Sequence, residues 1–207
     1  MTDVVPGVPG FGQLDQWSPS GLSILYTFFA GSESNPPSVY VKNVDGTPSK
    51  KVAVPPGASG SPDDWGPRYS PDSSQVAFLY STGVATATAA GNNSTPLASL
   101  SLVGNTLTWS PDGTRLAIGA AAVSPAPGAL YVVTVPSGQV RQIPLNLTTD
   151  TIDHPTWSPD GTRIAFVTGQ INHDLYAVKL DGSGLIHLAS NVGPSVSGPQ
   201  WALGETP

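Results

Sequence analysis

Short apolar runs alternate with clusters of Gly, Pro, Ser, Asn and Asp along the chain. They include Ser23-Ile24-Leu25-Tyr26-Thr27-Phe28-Phe29, Val76-Ala77-Phe78, Leu116-Ala117-Ile118 and Arg163-Ile164-Ala165-Phe166-Val167. Runs of this length, bounded by turn residues and rich in β-branched and aromatic side chains, predict strands. No segment keeps an apolar period of 3.6 residues, so no helix of consequence is predicted.

The runs follow a repeated lead. Trp17-Ser18-Pro19-Ser20-Gly21, Tyr69-Ser70-Pro71-Asp72, Trp109-Ser110-Pro111-Asp112-Gly113-Thr114-Arg115 and Trp157-Ser158-Pro159-Asp160-Gly161-Thr162-Arg163 are copies of one motif, and Trp201 keeps its aromatic alone. The turn is written residue by residue. Pro presets φ, Asp bonds backbone amides beyond it, and Gly takes a positive φ. An aromatic before such a turn and an apolar run after it make a hairpin.

The anchors recur every 40 to 52 residues, close to the ~40–50 residues of one four-stranded propeller blade. Within a period further strands follow, as in Ser38-Val39-Tyr40-Val41 before Asp45-Gly46 and Asp174-Leu175-Tyr176-Ala177-Val178 before Asp181-Gly182. The expected fold is therefore an all-β propeller of four-stranded antiparallel blades, with four recognisable blades and the first strand of a fifth. Residues 1–13, broken by Pro and Gly, read as a lead-in or edge segment. The propeller then fills 14–207, with blades at about 14–55, 63–100, 105–144 and 153–189 and a partial fifth at 198–207. Blade two is expected to pack least well, because Val84-Ala85-Thr86-Ala87-Thr88-Ala89-Ala90 carries small side chains where its sisters carry Leu and Tyr. Trp17, Tyr69, Trp109, Trp157 and Trp201 are expected in equivalent environments between blades.

The Trp/Tyr-Ser-Pro-Asp-Gly turn, the Arg-Ile/Leu-Ala strand after it, the Leu-Tyr-Val-like strand and the Asp-Gly turn together resemble the repeat of TolB and its WD-like relatives. The resemblance covers about residues 14–203. It implies a propeller that presents its channel mouth to a protein or peptide partner without catalysing a reaction. It is specific for architecture rather than role, because one fold hosts many functions. The alternative is the propeller of a larger enzyme, similar to the gating domains of prolyl-oligopeptidase-type peptidases, with the catalytic domain outside this chain. The propellers it resembles carry more blades than this sequence supplies. The expectation is a piece of a larger propeller; the alternatives are that residues 1–13 complete a minimal last blade or that open blade edges are covered by self-association.

Composition narrows the roles. The 207 residues hold no Cys, which excludes disulfides and Cys-ligated metals, and no cofactor is expected. Eight Lys and Arg against fourteen Asp and Glu give a net charge of −6, unsuited to neutralising phosphates, so nucleic acid is not an expected partner. No run is apolar for the ~18 residues of a membrane span, and Met1-Thr2-Asp3-Val4-Val5-Pro6-Gly7 does not read as a signal peptide. The absence of Cys, the few Lys and the resemblance to TolB point to a periplasmic or exported protein, with the cytoplasm as the alternative.

Candidate chemistry lies where the blades differ. In a propeller the strand before each anchor lines the channel, which gathers Asp15-Gln16, Asp63-Asp64 with Arg68, Asn105-Thr106-Thr108, Asp153-His154 and Pro199-Gln200. Trp65 is an aromatic outside the repeat register, beside two carboxylates, and such residues either anchor partners or fold onto their own loop. Asp64, Trp65, Arg68, Asp153 and His154 form the candidate binding site at the channel mouth. Asp15, Asp63, Asp64, Asp153 and His154 offer oxygen and nitrogen ligands, but their spacing follows no regular metal-binding pattern, so hydrogen bonds within their own turns are the expectation and no metal site is assigned. Asp72, Asp112 and Asp160 recur in the turns and read as turn caps. No catalytic residue is assigned, and no Gly-x-Ser-x-Gly elbow is present.

Overall fold

The computed structural model describes residues 10–30, 38–53, 66–80, 83–100, 104–122, 126–149, 151–169, 173–192 and 199–201. Among them there are sixteen strands and no helix. The strands form four antiparallel sheets of four, each a meander in chain order. Blade one is β1 (Gly10–Trp17), β2 (Ser23–Ala30), β3 (Ser38–Asn43) and β4 (Lys50–Lys51), and blade two is β5 (Arg68–Tyr69), β6 (Gln75–Tyr80), β7 (Gly83–Thr88) and β8 (Thr95–Ser99). Blade three is β9 (Gly104–Trp109), β10 (Arg115–Ala120), β11 (Ala129–Thr134) and β12 (Val140–Ile143), and blade four is β13 (Ile152–Trp157), β14 (Arg163–Thr168), β15 (Asp174–Lys179) and β16 (Ile186–Ala189). This is an all-β propeller fold of four blades.

The chain divides into two compact units, Met1–Ser101 and Leu102–Pro207, each carrying two blades. Each unit has its own core between its blades. In the first, Leu25, Val39, Val41 and Val52 of blade one meet Tyr69, Val76, Phe78 and Ala85 of blade two. In the second, Leu130, Val132 and Ile143 of blade three meet Ile152, Trp157, Ile164 and Val178 of blade four. The second strand of a blade is buried nearly end to end, as β10 and β14 show, which is why these strands read as continuous apolar runs.

The repeated turn closes by a fixed set of bonds. In blade four the Ser158 hydroxyl donates to Asp160 Oδ1 at 2.6 Å and accepts the Arg163 amide at 2.9 Å. The Thr162 amide donates to the same carboxylate oxygen at 3.0 Å, and Gly161 takes φ 67°. Blades two and three repeat this with Ser70, Asp72 and Ser74 and with Ser110, Asp112 and Thr114. In blade one Ser20 stands in the Asp place and shares a hydrogen bond with Ser18. Polar groups at a tight turn are satisfied locally, so the turn residues are scaffold.

Three features differ from expectation. Strand β1 begins at Gly10, four residues before Leu14, because the backbone from Gly10 pairs with β2 up to Ala30. The small residues of β7 pack tightly, with Val84 and Ala85 fully buried, since Gly83 lets the backbone of Ala98 on β8 approach where a Cβ would stand. The five anchors are not equivalent. Tyr69, Trp109 and Trp157 are buried, whereas Trp17 is 58% exposed.

Tyr69, Trp157 and Trp201 are each held by the preceding blade of their own unit. The Trp157 indole donates to the carbonyl of Thr108, and the Trp201 indole to the carbonyl of Thr156. Tyr69 donates its amide to the side chain of Gln16 at 2.8 Å, and its hydroxyl shares a 2.8 Å hydrogen bond with Ser23. Gln16, Thr108 and Thr156 each stand one residue before their own anchor.

Candidate functional site

Two of the pairing irregularities lie on first strands, beside polar residues. Pairing of β1 with β2 shifts between Leu14 and Gln16, and pairing of β13 with β14 shifts between Asp153 and Thr156. Bulges of this kind bend a strand and re-aim its side chains, and they concentrate beside functional sites. The sequence places the polar residues Asp15 and His154 at these shifts.

In the second unit the bulge is locked from the neighbouring blade. Thr106, on β9, donates its hydroxyl to Asp153 Oδ1 at 2.7 Å. The His154 amide donates to Thr106 Oγ1 at 2.7 Å and to Asp153 Oδ1 at 2.8 Å. These bonds hold His154 at φ 47°, a conformation rare outside glycine. His154 Nδ1 lies 3.4 Å from Asp153 Oδ1, outside hydrogen-bond alignment. Asp153 Oδ2 and His154 Nε2 have no hydrogen-bond partner among the described residues, and the two side chains are about a quarter exposed. The corner therefore offers a fixed acceptor and an imidazole nitrogen.

In the first unit Asp15 accepts the Thr27 hydroxyl at 2.7 Å. Arg68 turns back on its own loop, where Nη1 donates to the carbonyls of Gly66 and Pro67, each at 3.1 Å. Burial lowers the pKa of its guanidinium, and the Asp15 carboxylate partly offsets that by attraction. Arg68 thus holds the approach to the Tyr69 anchor. Of the five residues expected to share a binding site, the structure joins Asp153 with His154. Arg68 lies in the other unit, and Asp64 and Trp65 lie outside the described residues, as does Asp63.

No group of three His, Asp or Glu side chains converges among the described residues. Asp15 and Asp153 are each engaged by a threonine hydroxyl within their own unit. The turn carboxylates behave as caps: Ser110 first, then Thr114 and Arg115, pull Asp112 down to about 2, and the Ser158 and Thr162 hydrogen bonds lower Asp160.

Two participants escaped the sequence reading. Thr106 was one of several polar residues before an anchor, and only its placement opposite the next blade makes it the tether of Asp153 and His154. Arg115 lies with its guanidinium carbon 4.9 Å from the centre of the Trp157 ring while Nη2 meets Asp112 Oδ2 at 3.3 Å. The signal for Arg115 was its recurrence as Arg163 after the Asp-Gly-Thr turn.

No family model matches the sequence, and no curated protein matches it. Solved structures do. A putative TolB from Agrobacterium tumefaciens is 20% identical, with a TM-score of 0.62 over 92% of this chain and 64% of that one. An oligogalacturonate lyase from Vibrio parahaemolyticus is 12% identical, with a TM-score of 0.63 over 89% and 55%. A dipeptidyl peptidase 4 from Porphyromonas gingivalis is 14% identical, with a TM-score of 0.57 over 86% and 32%. The chain thus has the TolB-like β-propeller fold and spans between a third and two thirds of the length of these proteins.

Proposed function

We propose that this chain is a non-catalytic binding module that presents the Asp153–His154 corner to a protein or peptide partner. The observation that carries the reading is the strained backbone of His154, held at φ 47° by hydrogen bonds from two blades. A non-glycine residue in that region costs on the order of 1–3 kcal/mol, and such strain gathers at ligand-binding sites. Asp153 Oδ2 suits a peptide N–H, and His154 Nε2 suits either a donor or an acceptor according to its tautomer. Binding rather than catalysis is favoured because Asp153 Oδ1 and Thr106 are already spent on holding the corner in place. The likeness in fold to TolB agrees with this role.

A second reading is the propeller part of a larger enzyme, to which the likeness to a dipeptidyl peptidase 4 lends support. A Gly-x-Ser-x-Gly elbow in the parent reading frame favours the enzyme, and further Ser-Pro-Asp-Gly repeats favour the binder. The binding reading also includes export to the periplasm or beyond, since a chain without Cys is indifferent to an oxidising compartment. Cell fractionation checks this, and a purely cytosolic protein contradicts it.

The test of the binding role is selection of a displayed peptide library on the intact chain. Selected peptides are expected to lose roughly tenfold in affinity against His154→Ala, the size of one hydrogen bond. Peptides that bind His154→Ala as well as the unaltered chain overturn the assignment.

A further inference from the structure

A cleft of about 310 Å³ opens between blades three and four, and it shares no residue with the Asp153–His154 corner. Its apolar floor is Val132, Ile143 and Leu180, and its rim is polar, with Arg115, Thr134 and Arg141 prominent. The register explains the grouping: Arg115 pairs with Thr134, and Val132 with Arg141, so cation, hydroxyl and apolar groups share one face of the blade. No carboxylate lines the cleft, although Asp and Glu outnumber Lys and Arg by fourteen to eight in the sequence.

The donors there are largely unspent. Arg141 has no hydrogen-bond or ion-pair partner among the described residues, and neither the Gln139 amide group nor the Thr134 hydroxyl has one. Arg115 uses one edge on Asp112 and one face on Trp157, which fixes its plane and leaves its remaining N–H groups free. A stacked, oriented guanidinium beside a second free one matches a carboxylate, which Arg recognises by paired N–H donors.

An internal control sits in the first unit. The corresponding cleft between blades one and two is lined by Ser23, Val41, Asn43, Lys50 and Ala89 among others. Ser23 stands in the place of Arg115 and shares its hydroxyl with Tyr69, while Lys50 stands in the place of Arg141. That cleft has one ammonium where the other has two guanidinium groups. Arg115 recurs as Arg163 in blade four, whereas the place of Arg141 is taken by Lys50 in blade one and Ile186 in blade four, so Arg141 is what sets this cleft apart.

We propose that the cleft between blades three and four binds a small monocarboxylate with an apolar body, its carboxylate between Arg115 and Arg141 and its tail on Val132, Ile143 and Leu180. The volume is at the low end for small-molecule sites, which fits an acid of this kind rather than a large ligand. Octanoate is a suitable probe, with octanol and inorganic phosphate as comparisons that keep only the tail or only the charge.

Octanoate titrated into the isotope-labelled intact chain is expected to shift the methyl signals of Val132 and Ile143 and the side-chain signals of Arg115 and Arg141 saturably. Octanol and phosphate are expected to bind roughly tenfold more weakly or worse. Arg141 is exposed, so Arg141→Ala tests the charge without emptying the core, and it should weaken octanoate by about tenfold while Lys50→Ala leaves it unchanged. Absence of saturable shifts, equal binding of phosphate or octanol, or full binding by Arg141→Ala overturns the proposal. The comparison of the three probes on the unaltered chain stands even if the variant misfolds.

Discussion

The indole nitrogen of Trp157 donates to the carbonyl of Thr108, 3.4 Å away on the preceding blade. The same aromatic lies under the guanidinium of Arg115 and is buried to 6% exposure, whereas Trp17 at the same place in the repeat is 58% exposed. Trp157→Ala should cost ~3–5 kcal/mol, because it empties a large buried site and orphans a packed cation. Trp17→Ala should cost less than ~1 kcal/mol, as exposed sites do. Urea unfolding of the two variants checks the contrast, and equal losses would show that Trp17 is covered in solution.

Gly119 lies against the first strand of the next blade. A Cβ there would stand 2.5 Å from the carbonyl oxygen of Ile152, a backbone atom without a free direction in which to yield. Gly119→Ala should therefore separate β10 from β13 and destabilise the second unit by ~1–3 kcal/mol, the usual cost of overpacking. Thermal unfolding followed by circular dichroism measures this. An unchanged midpoint would mean that the two strands are not in backbone contact.

Acid should weaken the turns in a defined window. Ser110 first, then Thr114 and Arg115, hold the Asp112 carboxyl at about 2 against an ordinary value of 3.8. Asp72, Asp160, Asp45 and Asp181 are lowered in the same direction by hydrogen bonds within their own turns. Between the two values the unfolded chain binds more protons than the folded one, so this stabilisation is complete above about pH 4 and is lost as the pH falls towards about 2. Asp112→Asn keeps an acceptor for the Thr114 amide but does not titrate. Its urea midpoint should fall less steeply across the window than that of the unaltered chain, and a parallel fall would remove Asp112 from the explanation.

Much of the scaffold was legible in the sequence because its chemistry is local and repeated. Ser158, Asp160, Gly161 and Thr162 satisfy one another within a single turn, so the turn is readable wherever the letters recur. What was not legible depends on neighbours distant in sequence. The exposure of Trp17 is not written in its motif, which matches those of the buried Trp109 and Trp157, and the tight packing of β7 reflects how closely Ala98 approaches Gly83. The site was half legible: Asp153 and His154 stood out as non-repeated polar residues before an anchor. Their tether Thr106 lies 47 and 48 residues away in the chain and carries no motif of its own.

That tether can be cut alone. Thr106→Val keeps the shape of a side chain that is almost fully buried and removes both hydrogen bonds to the corner. The loss should be ~1–3 kcal/mol, because the Asp153 carboxylate and the His154 amide are left short of a partner. Hydrogen exchange at the His154 amide should accelerate more than exchange in the centre of β14. Equal acceleration at both would indicate general destabilisation instead of a released corner.

The most direct measurement is the footprint of a library-selected peptide on the amide spectrum of the intact, isotope-labelled chain. The expected result is a saturable set of shifts centred on Thr106, Asp153 and His154, absent from the Ser-Pro-Asp turns at 70–73, 110–113 and 158–161. A footprint centred on those turns, or on the first unit alone, would contradict the assignment of binding to the non-repeated corner.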